Sequence, residues 1–316
     1  MRKSPAPVSP RLADKSSLKR AYRDVSGILL FDKPQGLSSN QALQRVRRLF
    51  GARKAGHTGS LDPLATGLLP ICFGEATKIA GHLLGSRKAY VADCLLGATT
   101  DTDDADGEIL LSRPVAANLD FESALQSLRG RIVQTPPKYA AIKVGGVALY
   151  KRARRGEDVE PPPREVDVDR LDLIEHDGDR LRLHVECGSG TYVRSLVRDL
   201  GEKLGCGGHL TALRRIWVDP FRDPVMFTGE ELEKRFADGG TGALDALVLP
   251  LEHGLGALPS VTVSADDERR LRQGKTLVQG KLTAISLARA LDSAGRLIAL
   301  VEIDGQGEVR VKRGFN

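Results

Sequence analysis

The stretch GHTGSLDPLATG, residues 56–67, is the most unusual part of the sequence. Its three glycines allow a sharp turn or a close approach of the backbone to a ligand. Pro63 disfavours the helical region at Asp62 and favours an extended backbone there. The stretch therefore predicts a stiff loop that presents the Asp62 carboxylate outward. Two other interpretations stay open: Asp62 caps the next helical turn, and His57 is a structural histidine.

Upstream of this loop the pattern changes from strand to helix. The apolar run GILLFD at 27–32 is typical of a short buried strand, and KPQG at 33–36 is typical of a turn. Ser38 and Gln41 have the spacing of a capping box, and apolar residues recur at helical spacing over 42–50. We therefore predict strand, turn and amphipathic helix in that order.

Downstream, period-two patterns predict strands. Residues 181–187 alternate apolar and polar side chains, which is typical of a strand with one buried face. The turn signal DGD at 177–179 predicts that this strand pairs with residues 166–174. Tyr90 begins another predicted strand, residues 90–96, directly after two basic residues.

A second helix is predicted after this hairpin. Thr191 is the expected N-cap, and Gly205 the expected end. Arg194 and Arg198 are four residues apart, so we expect them to share one face of the helix.

The two ends of the chain differ in composition from its middle. Residues 1–24 hold seven Lys/Arg, two Asp and three Pro, which predicts a basic mobile tail, either a solvated leader or an arm that contacts phosphates. After about residue 250, several short strand patterns follow a short helix and predict a small β-barrel module. The expected domains are therefore 1–24, 25–250 and 251–316.

The composition favours a polyanionic partner. Among 316 residues, 47 Lys/Arg against 41 Asp/Glu give a net charge of +6. No apolar run approaches the roughly 20 residues that a membrane helix needs, and the first residues lack the apolar core of a secretory signal. We therefore expect a cytoplasmic protein with no membrane partner.

The common nucleotide and metal motifs fail on inspection. The sequence QGKT at 273–276 resembles the end of a P-loop, but Arg269 stands where the leading glycine is required. The aspartates of 101–106 resemble a calcium loop, but Ala105 stands at a ligand position. The four cysteines form no C-x-x-C pair. We therefore expect no cofactor and no metal.

A basic segment at 138–164 interrupts the middle of the chain. It carries seven Lys/Arg and three Asp/Glu, bracketed by two glycines and three prolines. Such a segment is either a solvated charged loop or a surface that contacts phosphates.

Seven blocks of the sequence together resemble the TruB family of tRNA pseudouridine synthases. They run in order over about 27–220, whereas the tail lies outside the pattern and the C-terminal module matches most loosely. The blocks are Asp32–Gly36, Gly56–Gly67, Gly74–Lys78, Gly97–Gly107, Gln134–Lys143, Gly190–Arg194, and Gly201–His209 with Leu213–Arg215.

The resemblance implies an intramolecular transferase, or isomerase, that converts the uridine at position 55 of the tRNA T-loop to pseudouridine. The C1′–N1 bond breaks, the uracil turns and C5 bonds to C1′, which requires no cofactor. The segment 138–164 would close over the T-loop as an RNA-clamping insertion. The terminal module is similar to a PUA domain and would reach the acceptor stem.

We predict an α+β fold. A large catalytic domain on a mixed or antiparallel sheet with a central cleft would precede the small PUA-like barrel. We expect a monomer.

The resemblance also implies roles for single residues. Asp62 matches the catalytic carboxylate, Arg194 the cation that pairs with it, and Tyr90 the aromatic residue that stacks on the flipped base. A plain strand tyrosine is the other interpretation of Tyr90. Four substrate-binding residues complete the predicted site. Tyr192 matches a second active-site tyrosine, Leu213 an apolar contact to the base, and His57 the residue that fills the space vacated by the flipped base. Lys78 matches a structural or phosphate-side residue.

Two other functions would use the same basic surface and the same tyrosines. One is a non-catalytic module that binds or folds tRNA on the same scaffold, for which the Asp62 carboxylate would not be required. The other is a synthase that acts inside a ribonucleoprotein. The basic insertion 138–164 favours action without a guide RNA.

Overall fold

The computed structural model describes residues 22–140, 142–144, 147–148, 152, 155, 157, 161–278 and 283–315. Residues 1–21 of the predicted tail 1–24 therefore lie outside the described residues, and so does much of the predicted insertion 138–164. Arg23 is already held in place: its backbone N–H donates to the Gly51 carbonyl at 2.8 Å, and its guanidinium pairs with Asp245 at 2.6 Å. Structured chain thus begins earlier than residue 25.

Helices and strands alternate irregularly along the described chain. The helices are α1 Ser39–Phe50, α2 Ala80–Leu84, α3 Phe121–Gln126, α4 Val193–Lys203, α5 Gly229–Asp245 and α6 Ala265–Arg272, with short 3₁₀ helices at Gly74–Lys78 and Leu251–Leu255.

Most of the described strands precede α5 in the chain. They are β1 Gly27–Lys33, β2 Ala55–His57, β3 Thr66–Phe73, β4 Lys88–Leu96, β5 Ala98–Thr100, β6 Ile109–Ser112, β7 Gly130–Gln134, β8 Lys143–Val144, β9 Val147–Ala148, β10 Arg164–Asp177, β11 Arg180–Cys187 and β12 Gly208–Val218. The C-terminal strands are β13 Ser260–Thr262, β14 Leu277–Val278, β15 Ile285–Leu291, β16 Leu297–Ile303 and β17 Glu308–Gly314.

One large mixed sheet organises the molecule. Its strand order is β1-β3-β12-β4-β11-β10-β7, and β2 pairs with β3. The β3–β12 pair is parallel and the other pairs are antiparallel. The predicted α+β fold on a mixed sheet is therefore confirmed. The predicted hairpin is also confirmed, with β10 and β11 joined at Gly178.

Helix α1 forms as its sequence predicts. The Ser38 side chain accepts from the Gln41 N–H, and the Gln41 side chain accepts from the Ser38 N–H. This capping box satisfies two N–H groups that would otherwise lack partners. The apolar face buries Leu43, Val46 and Phe50 against the sheet.

The predicted cap of α4 is wrong. The residue before the helix is Tyr192, and its side chain makes no capping hydrogen bond. The buried Gln134 instead holds this end: its Oε1 accepts from the Tyr192 N–H at 2.8 Å and its Nε2 donates to the Tyr192 carbonyl at 3.1 Å. A residue 58 positions away thus replaces the local cap expected at Thr191.

A second sheet forms the C-terminal region. Its order is β13-β15-β16-β17-β14, with α6 beside it and Ser264 as the N-cap of α6. Leu300 and Phe315 pack with Ile28 of β1 in one apolar cluster. This packing joins the C-terminal sheet to the edge of the large sheet. Within the part of the chain that the structure describes, no helix is long and apolar enough to cross a membrane.

Candidate active site

A cleft of about 260 Å³ opens where the loop after β2, the beginning of β4, the middle of β12 and the start of α4 meet. Five of the seven site residues predicted from the sequence line it: Asp62, Tyr90, Tyr192, Arg194 and Leu213. They come from four separate elements, so only the tertiary fold brings them together.

The loop 58–65 carries Asp62 at the cleft. The ends of the stretch predicted as one loop are in fact strands, since β2 ends at His57 and β3 begins at Thr66. Gly67 has φ +94, and a Cβ there would lie 2.3 Å from the Arg215 carbonyl oxygen. The close parallel pairing of β3 with β12 therefore requires glycine at this position.

Asp62 and Arg194 form an ion pair at the cleft. A guanidinium nitrogen of Arg194 lies 2.9 Å from Asp62 Oδ2. The Arg194 side chain is 5% exposed, whereas that of Asp62 is 44% exposed toward the cleft. The pair thus has a buried cation beneath a carboxylate that a ligand can reach.

Burial and the neighbouring positive charge shift the pKa of the Asp62 carboxyl group in opposite directions. Burial raises the pKa of Asp62 above its ordinary value, and the positive charge of Arg194 limits that rise. Arg194 therefore keeps more of Asp62 ionised near neutral pH than burial alone would allow.

A second carboxylate, Asp104, holds the same guanidinium. Its Oδ2 lies 3.3 Å from Arg194, which also donates to the Thr102 carbonyl at 2.9 Å. One turn further along α4, Arg198 pairs with Asp103 at 2.8 Å, so the predicted shared face of the two arginines is confirmed. The aspartate-rich run that fails as a calcium loop is the signal that could have identified Asp104.

Tyr90 and Leu213 face the cleft from neighbouring strands. Ala92 of β4 pairs with Leu213 of β12, and Tyr90 pairs with Arg215. Because side chains alternate along a strand, these four positions share one face of the sheet. Burial raises the pKa of the Tyr90 hydroxyl to about 12, so this group stays neutral at physiological pH.

Two buried cations, Lys88 and Arg215, also line the cleft, although the sequence predicted no role for either. Arg215 donates to the Leu68 carbonyl at 2.7 Å and to the Gly59 carbonyl at 3.2 Å. Burial lowers the pKa of Lys88 to about 8. These groups give the cleft a positive wall, which suits an anionic ligand.

The remaining predicted residues lie away from the cleft lining. His57 is half-buried in β2; burial lowers its pKa, and its Nδ1 has no hydrogen-bond partner among the described residues. Lys78 pairs with Glu75, donates to the Gly314 carbonyl at 3.0 Å and lies over the Phe315 ring. These contacts join the 3₁₀ helix Gly74–Lys78 to the end of the C-terminal strand β17.

Tyr192 reaches the cleft beside Arg164, whose guanidinium lies 5.0 Å from the centre of the tyrosine ring. Arg164 is the last residue of the predicted insertion and the first of β10. The described part of the insertion thus joins the cleft directly.

Known proteins share this architecture and sequence. Residues 47–193 match the family model described as TruB family pseudouridylate synthase (N terminal domain), and residues 194–256 match the tRNA pseudouridylate synthase B C-terminal domain. A crystal structure described as a Cbf5-Nop10-Gar1 complex contains a chain of similar fold, with a TM-score of 0.71, 22% identity, and coverage of 92% of this chain and 85% of that one.

Two curated relatives are similar over nearly their whole length. The protein named tRNA pseudouridine synthase B of Xanthomonas campestris pv. campestris (strain B100) is 53% identical, covering 93% of this chain and 96% of its own. The protein of that name from Xylella fastidiosa (strain Temecula1 / ATCC 700964) is 52% identical, covering 94% and 98%. Fold, site and relatives define a pseudouridine synthase, an isomerase that modifies RNA. The chain belongs to the TruB family.

Proposed function

We propose that the protein converts uridine 55 in the T-loop of tRNA to pseudouridine. The observation that carries this proposal is the Asp62 carboxylate, exposed to the cleft and 2.9 Å from the buried Arg194. The relatives named tRNA pseudouridine synthase B support the choice of tRNA as substrate.

In this proposal Asp62 acts on the nucleoside while the C1′–N1 bond is exchanged for a C1′–C5 bond. The uridine leaves its stack, at a cost of a few kcal/mol, before the carboxylate can reach it. Tyr90 stacks on the base, Leu213 gives it an apolar contact, and Tyr192 closes the other side. The proton lost from C5 is balanced by the proton gained at N1, so the reaction consumes no co-substrate.

Arg194 has two tasks in this mechanism. It keeps Asp62 ionised, and its contact with Oδ2 fixes one carboxylate oxygen and leaves the other available to the nucleoside. Lys88 and Arg215 supply positive potential for the phosphodiester chain that enters with the flipped nucleotide. His57 fills the space that this nucleotide leaves in the T-loop.

The binding surface extends over three regions of the chain. Residues 25–250 form the catalytic domain, and 138–164 close over the T-loop. Residues 251–316 form a PUA-like module that contacts the acceptor stem, supported by the five-stranded sheet with α6.

The enzyme acts alone, as a cytoplasmic monomer without guide RNA. The seven basic residues of 138–164 support this, because they supply phosphate contacts within the chain itself. A non-catalytic tRNA-binding module would not need a carboxylate held by a buried cation.

Mapping of pseudouridine on an unmodified tRNA transcript tests the proposal. The purified protein alone is incubated with the transcript, and with a matched transcript that has cytidine at position 55. We expect one pseudouridine, at position 55 of the first transcript. Modification only after adding a guide RNA or another protein would overturn the proposal of stand-alone action.

A further inference from the structure

Ser39, the first residue of α1, contacts the loop that carries Asp62. Its side chain is buried, with 4% exposure. The Ser39 Oγ accepts from the Leu61 N–H at 2.7 Å and donates to the Leu61 carbonyl at 3.0 Å. A single hydroxyl thus satisfies both backbone groups of the residue immediately before Asp62.

Two further backbone hydrogen bonds hold the loop at Asp62 and Pro63. The Gly36 N–H donates to the Pro63 carbonyl at 2.8 Å, and the Ala65 N–H donates to the Asp62 carbonyl at 3.1 Å. Ser39 therefore fixes the backbone of Leu61, Gly36 fixes that of Pro63, and a turn within the loop holds the Asp62 carbonyl, while the Asp62 side chain meets Arg194.

We propose that Ser39 is a positioning residue that holds Asp62 in its reactive place by fixing Leu61. The inference rests on the proposed function, and Ser39 acts through the backbone without touching substrate. Loss of the hydroxyl leaves two buried backbone groups without partners, and the loop has to move to satisfy them. Displacement of a reacting group by about 1 Å can cost about 100-fold in rate.

Ser38 provides a matched control in the adjacent position. Its hydroxyl caps α1 by accepting from the Gln41 N–H, so Ser38→Ala weakens the same helix without removing a contact to the loop. Ser39→Cys nearly keeps the volume of the side chain but replaces the hydroxyl with a weak donor and acceptor. The three variants Ser39→Ala, Ser39→Cys and Ser38→Ala separate hydrogen bonding from packing and from helix stability.

The experiment measures single-turnover pseudouridine formation, tRNA affinity and melting temperature for each variant of the full chain. We expect Ser39→Ala and Ser39→Cys to react at least about tenfold more slowly, with the tRNA Kd changed less than twofold. Ser38→Ala should keep the rate of the unaltered protein. A folded Ser39→Ala with an unchanged rate would overturn the inference; if Ser39→Ala does not fold, the rate of Ser39→Cys decides in the same way.

A double variant distinguishes positioning from a general structural role. When Arg194→Gln has already removed the partner of Asp62, Ser39→Ala should cost much less than in the unaltered protein. If the double variant lost rate by the product of the two single-variant factors, the positioning role of Ser39 would be contradicted. Lack of pseudouridine with the unaltered protein would overturn the proposed function as well, whereas normal turnover of the Ser39 variants alone refutes only this inference.

Discussion

The guanidinium of Arg194 bridges two carboxylates, Asp62 at 2.9 Å and Asp104 at 3.3 Å. Asp62 is open to the cleft and Asp104 is buried. The buried partner holds the cation in place, and the exposed partner is left available for chemistry. Four predictions follow from this arrangement and from the residues around it.

Replacement of Asp62 by asparagine should abolish pseudouridine formation and leave tRNA affinity within a few-fold. The amide keeps the shape of the side chain but carries no charge and is a far weaker nucleophile and base. Product mapping and filter binding on the same transcript measure the two effects. Normal turnover of the variant would remove Asp62 from the mechanism.

The pH profile should report the ionisation of Asp62. Because burial raises its pKa, activity should fall with decreasing pH sooner than an ordinary aspartate would require. Arg194→Gln removes the charge that limits this rise, so the pKa increases further and the acid limb moves to higher pH. The variant should therefore lose proportionally more activity at about pH 5 than at about pH 8. An acid limb that does not move would show that Arg194 leaves this ionisation unchanged.

Asp104→Asn should slow turnover about tenfold, because the charged anchor of Arg194 is lost and the Asp62–Arg194 pair shifts. The matched control is Asp106→Asn in the same loop, where the side chain is exposed and pairs with no arginine among the described residues. Single-turnover rates compare the two. Equal losses in both variants would point to the loop as a whole and away from the ion pair.

Tyr90→Leu should slow the chemical step more than it weakens binding, since phosphate contacts remain. Base–aromatic stacking contributes about 1–3 kcal/mol, which corresponds to a loss of about 5- to 150-fold in rate. Tyr90→Phe retains the ring and should retain most of the rate, as its hydroxyl is neutral in this pH range. A loss confined to affinity would count against stacking on the flipped base.

Local patterns predicted the elements that form without distant partners. The capping box at Ser38 is satisfied within four residues, so its spacing alone predicts the start of α1. The DGD turn likewise predicts the β10–β11 hairpin. Thr191 lies one residue before the actual N-cap, Tyr192, whose backbone is held by Gln134 of β7.

In the candidate site, too, some residues were predicted from the sequence and others were found only in the structure. Family motifs identified Asp62, Arg194 and Tyr90, and all three line one cleft. Asp104 was overlooked, because the acidic run marks several aspartates as candidates and nothing in it shows which of them meets a buried arginine. Ser39 gave no signal either, since a serine at the start of a helix is read as part of a cap.

The sequence by itself determined the first strand, turn and helix, the β10–β11 hairpin, the stiff loop around Asp62 and the membership in the TruB family. These depend on backbone preferences and residue spacing, which act over a few positions. Only the tertiary structure decided which charges and hydroxyls meet across the cleft. Pairs such as Asp62 with Arg194 lie more than a hundred residues apart in the chain. Their contact depends on how the mixed sheet places one loop against one helix, which no local pattern records.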